Sequence, residues 1–354
     1  MSRISHAVVV VALFTMLLIS AGIAWADQAG PVPPGPVKVF ILVGQSNMVG
    51  HGKVEMGRDP NGQSKREIKN GLGCLRRFVE DHPNRYGAAG SCPLMDKQGK
   101  WLTRGDVWIW STTEPDKPGR LTPHYGAGNW FGPEYGFGVV AGNTMKNPVL
   151  IIKTAWGGKS IGVDFRPPSS GKAPYKVKTP EQVGHYYREM LRLTHDVMGN
   201  VGKYFPALAG RKLELAGFGW HQGWNDGCSN EMTAEYEKNM ANFIRDVRKD
   251  LGRPNLPFVI GGSGFGGSKL TGRRLDLLKA QMAMAAPAKY PQFKGNVAVV
   301  DTRPFWRPRE QSPSGFGYHW NHNGETHFLI GQAMGKAMLT LLKDKHPASG
   351  GKAK

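Results

Sequence analysis

The sequence predicts an α/β protein, a three-layer α/β/α sandwich built on a five-stranded parallel sheet. Five short apolar runs rich in Val, Ile, Leu and Phe are typical of strands buried on both faces. Stretches with helical character lie between them, and strands that alternate with helices form a parallel sheet covered on both sides. No internal repeat and no interdomain linker interrupts this pattern, so one domain is expected over residues 37–345.

The first predicted strand is Val39–Val43, an apolar, β-branched run that ends abruptly at Gly44. It has no room for a helical period, which favours a buried strand over a helix. The other four predicted strands are residues 148–153, 213–220, 258–260 and 297–300.

Helices are predicted between and after these strands. The clearest start is Thr179-Pro180-Glu181, which supplies a capping hydroxyl, a proline at the first helical position and an early acid, and this helix runs to about Val197. The remaining predicted helices are residues 133–140, a helix with an apolar stripe from residue 233, residues 275–285, and a last helix from about residue 325.

Residues 50–130 are predicted to form a long insertion of loops, because they are rich in Gly, Pro, Asn, Asp and charge. Loops of this length are uncommon unless they are functional, so we expect them to build the walls of a cleft. The aromatic residues of the insertion are expected mostly to pack it against the body, with stacking on sugar rings as the alternative. Those considered lie in the insertion or at its end and are Trp101, Trp108, Trp110, Tyr125, Trp130 and Phe131.

The N-terminus has the features of a cleaved signal peptide. A basic start precedes an apolar run over residues 7–24, and Ala24 and Ala26 form a small-x-small cleavage site. The run is short for a membrane anchor, and no later run is long enough to span a bilayer. The sequence therefore predicts a secreted or periplasmic protein, with a signal peptide (1–26), a Pro-rich lead-in (27–36) and a basic flexible tail (346–354).

The net charge indicates which partners to expect, and the cysteines allow one disulfide. The 46 Lys and Arg residues against 27 Asp and Glu give a net charge of +19, which favours polyanionic surroundings such as acidic polysaccharide. The basic residues are scattered and no nucleic-acid motif occurs, so no nucleic-acid partner is expected. Cys74 and Cys92 are candidates for a disulfide that leaves Cys228 over, and the sequence does not determine the pairing.

Polar and glycine residues follow the predicted strands. The carboxyl ends of parallel strands point one way, so a single edge of the sheet is expected to hold Ser46, Gly157, Gly158, Gln222 and Asp301. Acyl transfer needs an activated nucleophile and fixed donors for the oxyanion that develops. Ser46 fits the first role, and the backbone after a glycine-rich turn together with the amide of Gln222 fits the second.

A serine nucleophile also needs a base. The segment Gly317–Gly324, just before the last helix, returns to the same edge and offers His319, with His322 as the alternative. His319, His322 and His327 are alternative candidates for metal ligands, but no acidic or cysteine residue at a zinc spacing accompanies them. The sequence therefore predicts no metal and no other cofactor.

Four separated blocks of this sequence resemble the sialate O-acetylesterase type of SGNH hydrolase, a group that includes the acetyl xylan esterases of carbohydrate esterase family 6. In the order of that family, they are Gly44-Gln45-Ser46-Asn47-Met48, Trp156-Gly157-Gly158-Lys159-Ser160, Trp220-His221-Gln222-Gly223 and the histidine segment before the last helix. The resemblance implies a flavodoxin-like SGNH fold and a serine esterase that removes O-acetyl groups from polysaccharide or sialic acid through an acetyl-serine intermediate.

The same resemblance implies roles for individual residues. Ser46 matches the nucleophile and His319 the base. The oxyanion hole corresponds to Ser46, Gly157 or Gly158, and Gln222.

Two positions depart from the family's pattern. Trp224 and Asn225 stand where the family commonly has Glu-Ser, which removes an acid from the third block. Gly317 and Phe316 stand where an Asp usually precedes the catalytic histidine by two or three residues.

The acid of the triad is consequently open. Asp301 is the first candidate, Glu310 and Asp226 follow, and a backbone carbonyl that orients the imidazole is a further alternative, because the third group mainly fixes the tautomer. The missing Asp also supports a second functional hypothesis, a catalytically inactive carbohydrate-binding protein on the same fold.

Overall fold

The computed structural model describes residues 31–55 and 71–345. Its strands are β1 (Val37–Gly44), β2 (Val107–Ser111), β3 (Gly119–Arg120), β4 (Val149–Ala155), β5 (Leu213–His221), β6 (Phe258–Gly261) and β7 (Val297–Val300). They form one sheet in the order β3-β2-β4-β1-β5-β6-β7. All neighbouring strands run parallel except β2 and β3, which are antiparallel.

Helices cover both faces of the sheet. The helices are α1 (Ser46–Val49), α2 (Leu75–Asp81), α3 (Pro83–Tyr86), α4 (Pro133–Thr144), α5 (His185–Gly199), α6 (Val201–Tyr204), α7 (Asn230–Asp250), α8 (Gly272–Ala283) and α9 (Gly324–Lys345). Residues of α4 and α9 belong to one apolar core, and residues of α5, α7 and α8 belong to cores on the opposite face. The predicted three-layer α/β/α architecture is thereby confirmed.

Strand β1 lies in the centre of the sheet and is buried on both sides. Phe40 and Leu42 pack in the core that includes α4 and α9, whereas Ile41 and Val43 pack in the core that includes α5, α7 and α8. Side chains of a strand alternate between its two faces, so a strand covered on both sides is apolar throughout. This explains why the nucleophile turn follows an uninterrupted apolar run.

The sheet has two strands more than the five predicted, β2 and β3, and both lie in the segment 50–130 that the sequence predicts to be loops. Strand β2 pairs with β4 over five residues and is buried along its whole length, and β3 extends the sheet by a short antiparallel pair. The short helices α2 and α3 also lie in this segment. A strand buried on both faces has no alternation of apolar and polar residues. Because β2 is also only five residues long and lies among turn-forming residues, the sequence pattern does not predict it.

The predicted helix that starts at Thr179 is displaced. Pro180–Gln182 forms one 3₁₀ turn, and the continuous helix begins only at His185. Gly184, with φ of +67°, separates the two because a left-handed residue interrupts helical geometry.

Helices α4 and α9 cross with their backbones in contact. A Cβ atom placed on Gly331 of α9 would lie 2.1 Å from the carbonyl oxygen of Pro133, and one on Gly136 of α4 would lie 2.2 Å from that of Phe328. Only glycine allows this approach. The crossing holds α9, and with it the histidine segment that precedes α9, against the sheet.

All three cysteines are free in the structure, so Cys74 and Cys92 do not form a disulfide. The Sγ atom of Cys74 instead accepts a hydrogen bond from the N–H of Arg77 and caps α2. Cys92 accepts a hydrogen bond from the side-chain amide of Asn143.

The predicted signal peptide (1–26) and basic tail (346–354) lie outside the described residues. None of the helices within residues 31–55 and 71–345 has the length and apolarity needed to cross a bilayer. The predicted domain limits stay a prediction.

Candidate active site

The site is built where the three central strands end. Gly44, the last residue of β1, lies in register with Ala155 at the end of β4 and with His221 at the end of β5. A Cβ atom on Gly44 would lie 2.1 Å from the carbonyl oxygen of His221, so glycine is required here. The turn that carries Ser46 therefore emerges between the turns that follow β4 and β5.

Ser46 is the first residue of the short helix α1. Its side chain is buried, and its hydroxyl donates to no residue among those described. The N–H of Ser46 also lacks an acceptor within the described part of the chain, as expected in the first turn of a helix. The side-chain oxygen of Gln45 accepts hydrogen bonds from the N–H groups of Gly223 (3.1 Å) and Asn225 (3.3 Å), which fastens the turn to the end of β5.

The histidine segment is tied directly to the nucleophile turn. The side-chain amide of Asn47 donates to the carbonyl oxygen of Tyr318 at 2.9 Å, so the residues that follow Ser46 and precede His319 are in contact. His319 belongs to the 3₁₀ segment Gly317–His322 before α9. The structure thus brings the predicted nucleophile and the predicted base to one place.

Three consecutive residues of this segment have left-handed backbones. Trp320, Asn321 and His322 have φ of +53°, +55° and +58°. Such a run is costly for residues other than glycine and persists only where the surroundings enforce it. Here the Asn321 side chain donates to the carbonyl oxygen of Arg307, and the Asn321 N–H donates to Phe316.

His51, which the sequence analysis did not single out, packs on the predicted base. Its ring is stacked on that of His319, with centroids 3.8 Å apart and planes 11° apart, and the His322 ring lies 5.9 Å away. Trp130 closes this group, 4.8 Å from His322. The sequence offered only one sign of His51, a histidine shortly after the nucleophile, because stacking depends on a contact with residues near the other end of the chain.

Burial and mutual repulsion keep the His51 and His319 rings neutral. Burial first, and then the neighbouring His51, lower the pKa of His319 to about 3. Burial, His322 and Lys153 lower the pKa of His51 to about 3. At neutral pH both imidazoles carry a free lone pair, which a proton acceptor requires.

Free backbone donors face the same edge. The N–H of Trp156 donates to the carbonyl oxygen of Gly44 at 3.2 Å, which draws the turn after β4 toward Ser46. The next two residues, Gly157 and Gly158, are exposed, and their N–H groups find no acceptor in the described residues. Together with the N–H of Ser46, they are donors of the kind that an oxyanion needs.

Gln222 does not present its amide to the nucleophile. Its nitrogen donates to the carbonyl oxygen of Lys159 (2.9 Å) and to the carboxylate of Asp226 (2.5 Å), which uses both hydrogens. Its oxygen accepts from the hydroxyl of Tyr236 at 3.1 Å. Gln222 therefore supports the turn after β4, because it joins Lys159 of that turn to Asp226 and Tyr236.

No predicted acid contacts His319. The carboxylate of Asp301 accepts hydrogen bonds from the N–H and the guanidinium of Arg303, which holds its pKa below the usual range. Glu310 is exposed in a 3₁₀ turn. Among the described residues, no carboxylate is hydrogen-bonded to the imidazole of His319, so the structure does not supply the expected Asp301 contact.

Asp226, the third candidate acid, is committed elsewhere. It accepts hydrogen bonds from the N–H groups of Ile161 (3.1 Å) and Gly162 (2.8 Å) as well as from Gln222. Complete burial raises its pKa to about 6, although these donors oppose the shift. Asp226 thus joins the turn after β5 to the segment after β4.

A buried ion pair lies behind the nucleophile turn. Lys153 of β4 and Glu134 of α4 are both completely buried, and their charged atoms are 3.2 Å apart. The Lys153 amine also donates to the carbonyl oxygens of Val49 (2.9 Å) and Tyr125 (2.5 Å). Because Val49 is the last residue of α1, this lysine fixes the end of the helix that Ser46 begins.

Aromatic residues of the insertion mainly pack, as expected. Trp101, Trp108, Trp110, Tyr125, Trp130 and Phe131 are all buried. The exposed aromatic residue at this edge is Tyr318, next to His319, and its ring lies 5.7 Å from that of Trp224. His327 is completely buried and belongs to the core side of α9.

A serine turn, a neutral histidine and free backbone donors lie at the carboxyl edge of the parallel sheet, and hydrolases with a serine nucleophile use groups of these kinds. The family of carbohydrate esterases described as sialic acid-specific acetylesterases has a sequence model that matches residues 36–340. The chain belongs to this family, and it is therefore a carbohydrate acetylesterase, a carboxylic ester hydrolase. No curated protein matches the chain.

Solved structures resemble the chain at low sequence identity, and the first of them, with a TM-score above 0.5, shares its fold. The protein AT4G34215 from Arabidopsis thaliana is 19% identical with a TM-score of 0.54, and the match covers 86% of this chain and 98% of that one. XAC1771, a carbohydrate acetylesterase from Xanthomonas citri, is 15% identical with a TM-score of 0.44, covering 85% and 55%. NanS is 13% identical with a TM-score of 0.45, covering 86% and 98%.

Proposed function

We propose that this protein is a secreted or periplasmic serine esterase that removes O-acetyl groups from carbohydrate through an acetyl-serine intermediate. The observation that carries the proposal is the hydrogen bond from the Asn47 side chain to the Tyr318 carbonyl oxygen, which joins the turn of Ser46 to the segment of His319. A serine and a neutral imidazole held together in this way are a nucleophile and its base.

In the proposed reaction, the Ser46 hydroxyl attacks the acetyl carbonyl while His319 accepts its proton. The negative charge that forms on the carbonyl oxygen is stabilised by the N–H of Ser46 and the N–H of Gly157 or Gly158. The bond to the sugar oxygen then breaks, and His319 returns the proton to that oxygen. Water next attacks the acetyl-serine with the same base, which releases acetate and restores Ser46.

His319 acts in this proposal without a bonded carboxylate. The segment that carries it is fixed by the hydrogen bonds of Asn47 and Asn321, and the stacked ring of His51 limits its rotation. The main duty of a third triad member is to orient the imidazole, and packing supports that duty here. An acid would also stabilise the imidazolium, so we expect a slower enzyme than a complete triad gives.

The substrate class follows from charge and family. The net charge of +19 favours an acidic polymer, and sialic acid, xylan and other acetylated polysaccharides remain in the panel of substrates to be compared. The exposed ring of Tyr318 supplies an apolar face for a sugar beside the base.

The test is acetate release from p-nitrophenyl acetate and from acetylated glycans by the native protein and by the Ser46→Ala variant. Removing the nucleophile should lower turnover by about 10⁴-fold or more. Ser268→Ala, which alters an exposed serine after β6 at the same edge, is the matched control and should keep full activity. Mass spectrometry after rapid acid quench should detect an acetylated peptide that contains Ser46.

Equal release by the native protein and the Ser46→Ala variant on every ester would overturn the proposal. If that release does not exceed the rate without protein, a carbohydrate-binding protein is the function to test next.

A further inference from the structure

Three histidines at the candidate active site can act together as ligands. One nitrogen of each of His51, His319 and His322 lies within 4.8 Å of the others. We propose that these side chains form a binding site for a divalent transition metal such as Zn²⁺, and that the bound metal inhibits the esterase by occupying His319. The inhibition rests on the proposed function, whereas the binding does not.

The ligand set decides which metals fit. Three imidazoles suit zinc, copper and nickel, and three histidines with one open position are an established zinc arrangement. No carboxylate belongs to the group, so calcium and magnesium, which prefer oxygen ligands, are not expected.

This set of three histidines differs from the candidate ligands that the sequence suggests, which are His319, His322 and His327. His327 is completely buried on α9, and its place is taken by His51 from the turn after α1. The left-handed run over Trp320, Asn321 and His322 reverses the chain so that His319 and His322 approach His51 from the same segment. Backbone strain of this kind is typical of functional sites.

Binding requires one ring to turn. A metal lies in the plane of each imidazole that binds it, whereas His51 and His319 are stacked 3.8 Å apart with nearly parallel planes. No hydrogen bond to a described residue holds the partly exposed His319 ring, so a bound metal has only to overcome its stacking on His51 to turn its lone pair toward the other two rings. The metal therefore takes the same lone pair that would accept the proton of Ser46.

Positive charges near the three histidines are expected to lower the affinity for a metal cation. The Lys53 amine lies 4.2 Å from the Trp130 ring, and the buried Lys153 raises the potential at His51. Glu134 offsets part of this positive charge through its pair with Lys153. We therefore expect weaker binding than at a structural zinc site, with one metal per chain.

Titration calorimetry with ZnCl₂ and visible absorption with Co²⁺ test the binding on the full-length mature protein. We expect one saturable site, and a Co²⁺ spectrum of four or five ligands. His51→Gln and His322→Gln should each weaken binding by at least about tenfold, since even loss of a group that supports a ligand costs that much. His195→Gln, which alters an exposed histidine of α5, is the control and should bind normally.

Two further experiments distinguish a failure of this inference from a failure of the proposed function. Ser46→Ala should bind metal like the native protein although it lacks activity. Zn²⁺ should inhibit acetate release at the concentrations that fill the site, EDTA should restore it, and thermal unfolding should show that His51→Gln is folded. The inference is overturned by the absence of saturable binding, or by binding that neither His51→Gln nor His322→Gln weakens.

Discussion

Replacing Lys153 by methionine should destabilise the protein strongly, because it breaks the buried ion pair behind the nucleophile turn. Both Lys153 and Glu134 have no exposed surface, and the lysine also supplies donors to the carbonyl oxygens of Val49 and Tyr125. Methionine matches the lysine stem in size but leaves the Glu134 carboxylate buried and unpaired. Removing one partner of such a pair costs about 3–5 kcal/mol.

Urea unfolding followed by tryptophan fluorescence measures this loss. A protein of ordinary stability has about 5–15 kcal/mol to lose, so the midpoint should fall markedly. The double variant Lys153→Met/Glu134→Gln removes the stranded charge while Gln keeps an oxygen for the N–H of Gly132, which Glu134 accepts at 2.9 Å. It should recover about 1–3 kcal/mol relative to the sum of the single variants.

The exposed pair Lys279 and Asp276 provides the control. Lys279→Met should leave the urea midpoint unchanged, because exposed ion pairs contribute little to stability. The reasoning is refuted if Lys153→Met costs less than about 1 kcal/mol, or if the double variant loses as much stability as the two single variants together.

Three other substitutions test the remaining parts of the structure. Gly331→Ala should lower the unfolding midpoint strongly, because its Cβ would lie 2.1 Å from the Pro133 carbonyl oxygen at the α4–α9 crossing. Tyr318→Ala should raise KM for acetylated glycans more than for ethyl acetate, since only the sugar has a ring face that can stack on the exposed side chain. Asp301→Asn should change kcat less than about tenfold, because its carboxylate pairs with Arg303 and not with the base.

Each of these has an outcome that contradicts it. Gly199→Ala, at an open position in α5, is the control for Gly331 and should be neutral or stabilising. An equal rise of KM for both ester types would remove Tyr318 from the sugar site. A loss of kcat of about 10³-fold or more in Asp301→Asn would restore it as the triad acid.

The sequence predicted the frame of the site because that frame follows from where strands end. Apolar runs located β1, β4 and β5, and the parallel geometry then brought Ser46 and Gly157 to one edge. Strand β2 was not predicted because a completely buried strand shows no alternation of apolar and polar residues, and five residues are too few for another pattern to indicate a strand. The pattern of apolar residues thus predicts long elements better than short buried ones.

Side-chain partners were the part that the sequence could not predict. Gln222 and Asp301 lie at the expected strand ends, but the hydrogen bonds that commit them to Asp226 and Arg303 depend on rotamers and on neighbouring elements. His51 reached the site through a turn only a few residues after Ser46, and its stacking on His319 is a contact between opposite ends of the domain.

The hydrogen bond from Asn47 to Tyr318 spans 271 residues of sequence, and this separation affects how activity arises during folding. Contacts so distant in sequence are slow to form, because a long stretch of chain has to close before their ends meet. Esterase activity should therefore return later than helical circular dichroism when the unfolded chain is diluted from urea. A nascent chain that ends before residue 319 lacks the histidine segment and would hold the nucleophile without its base.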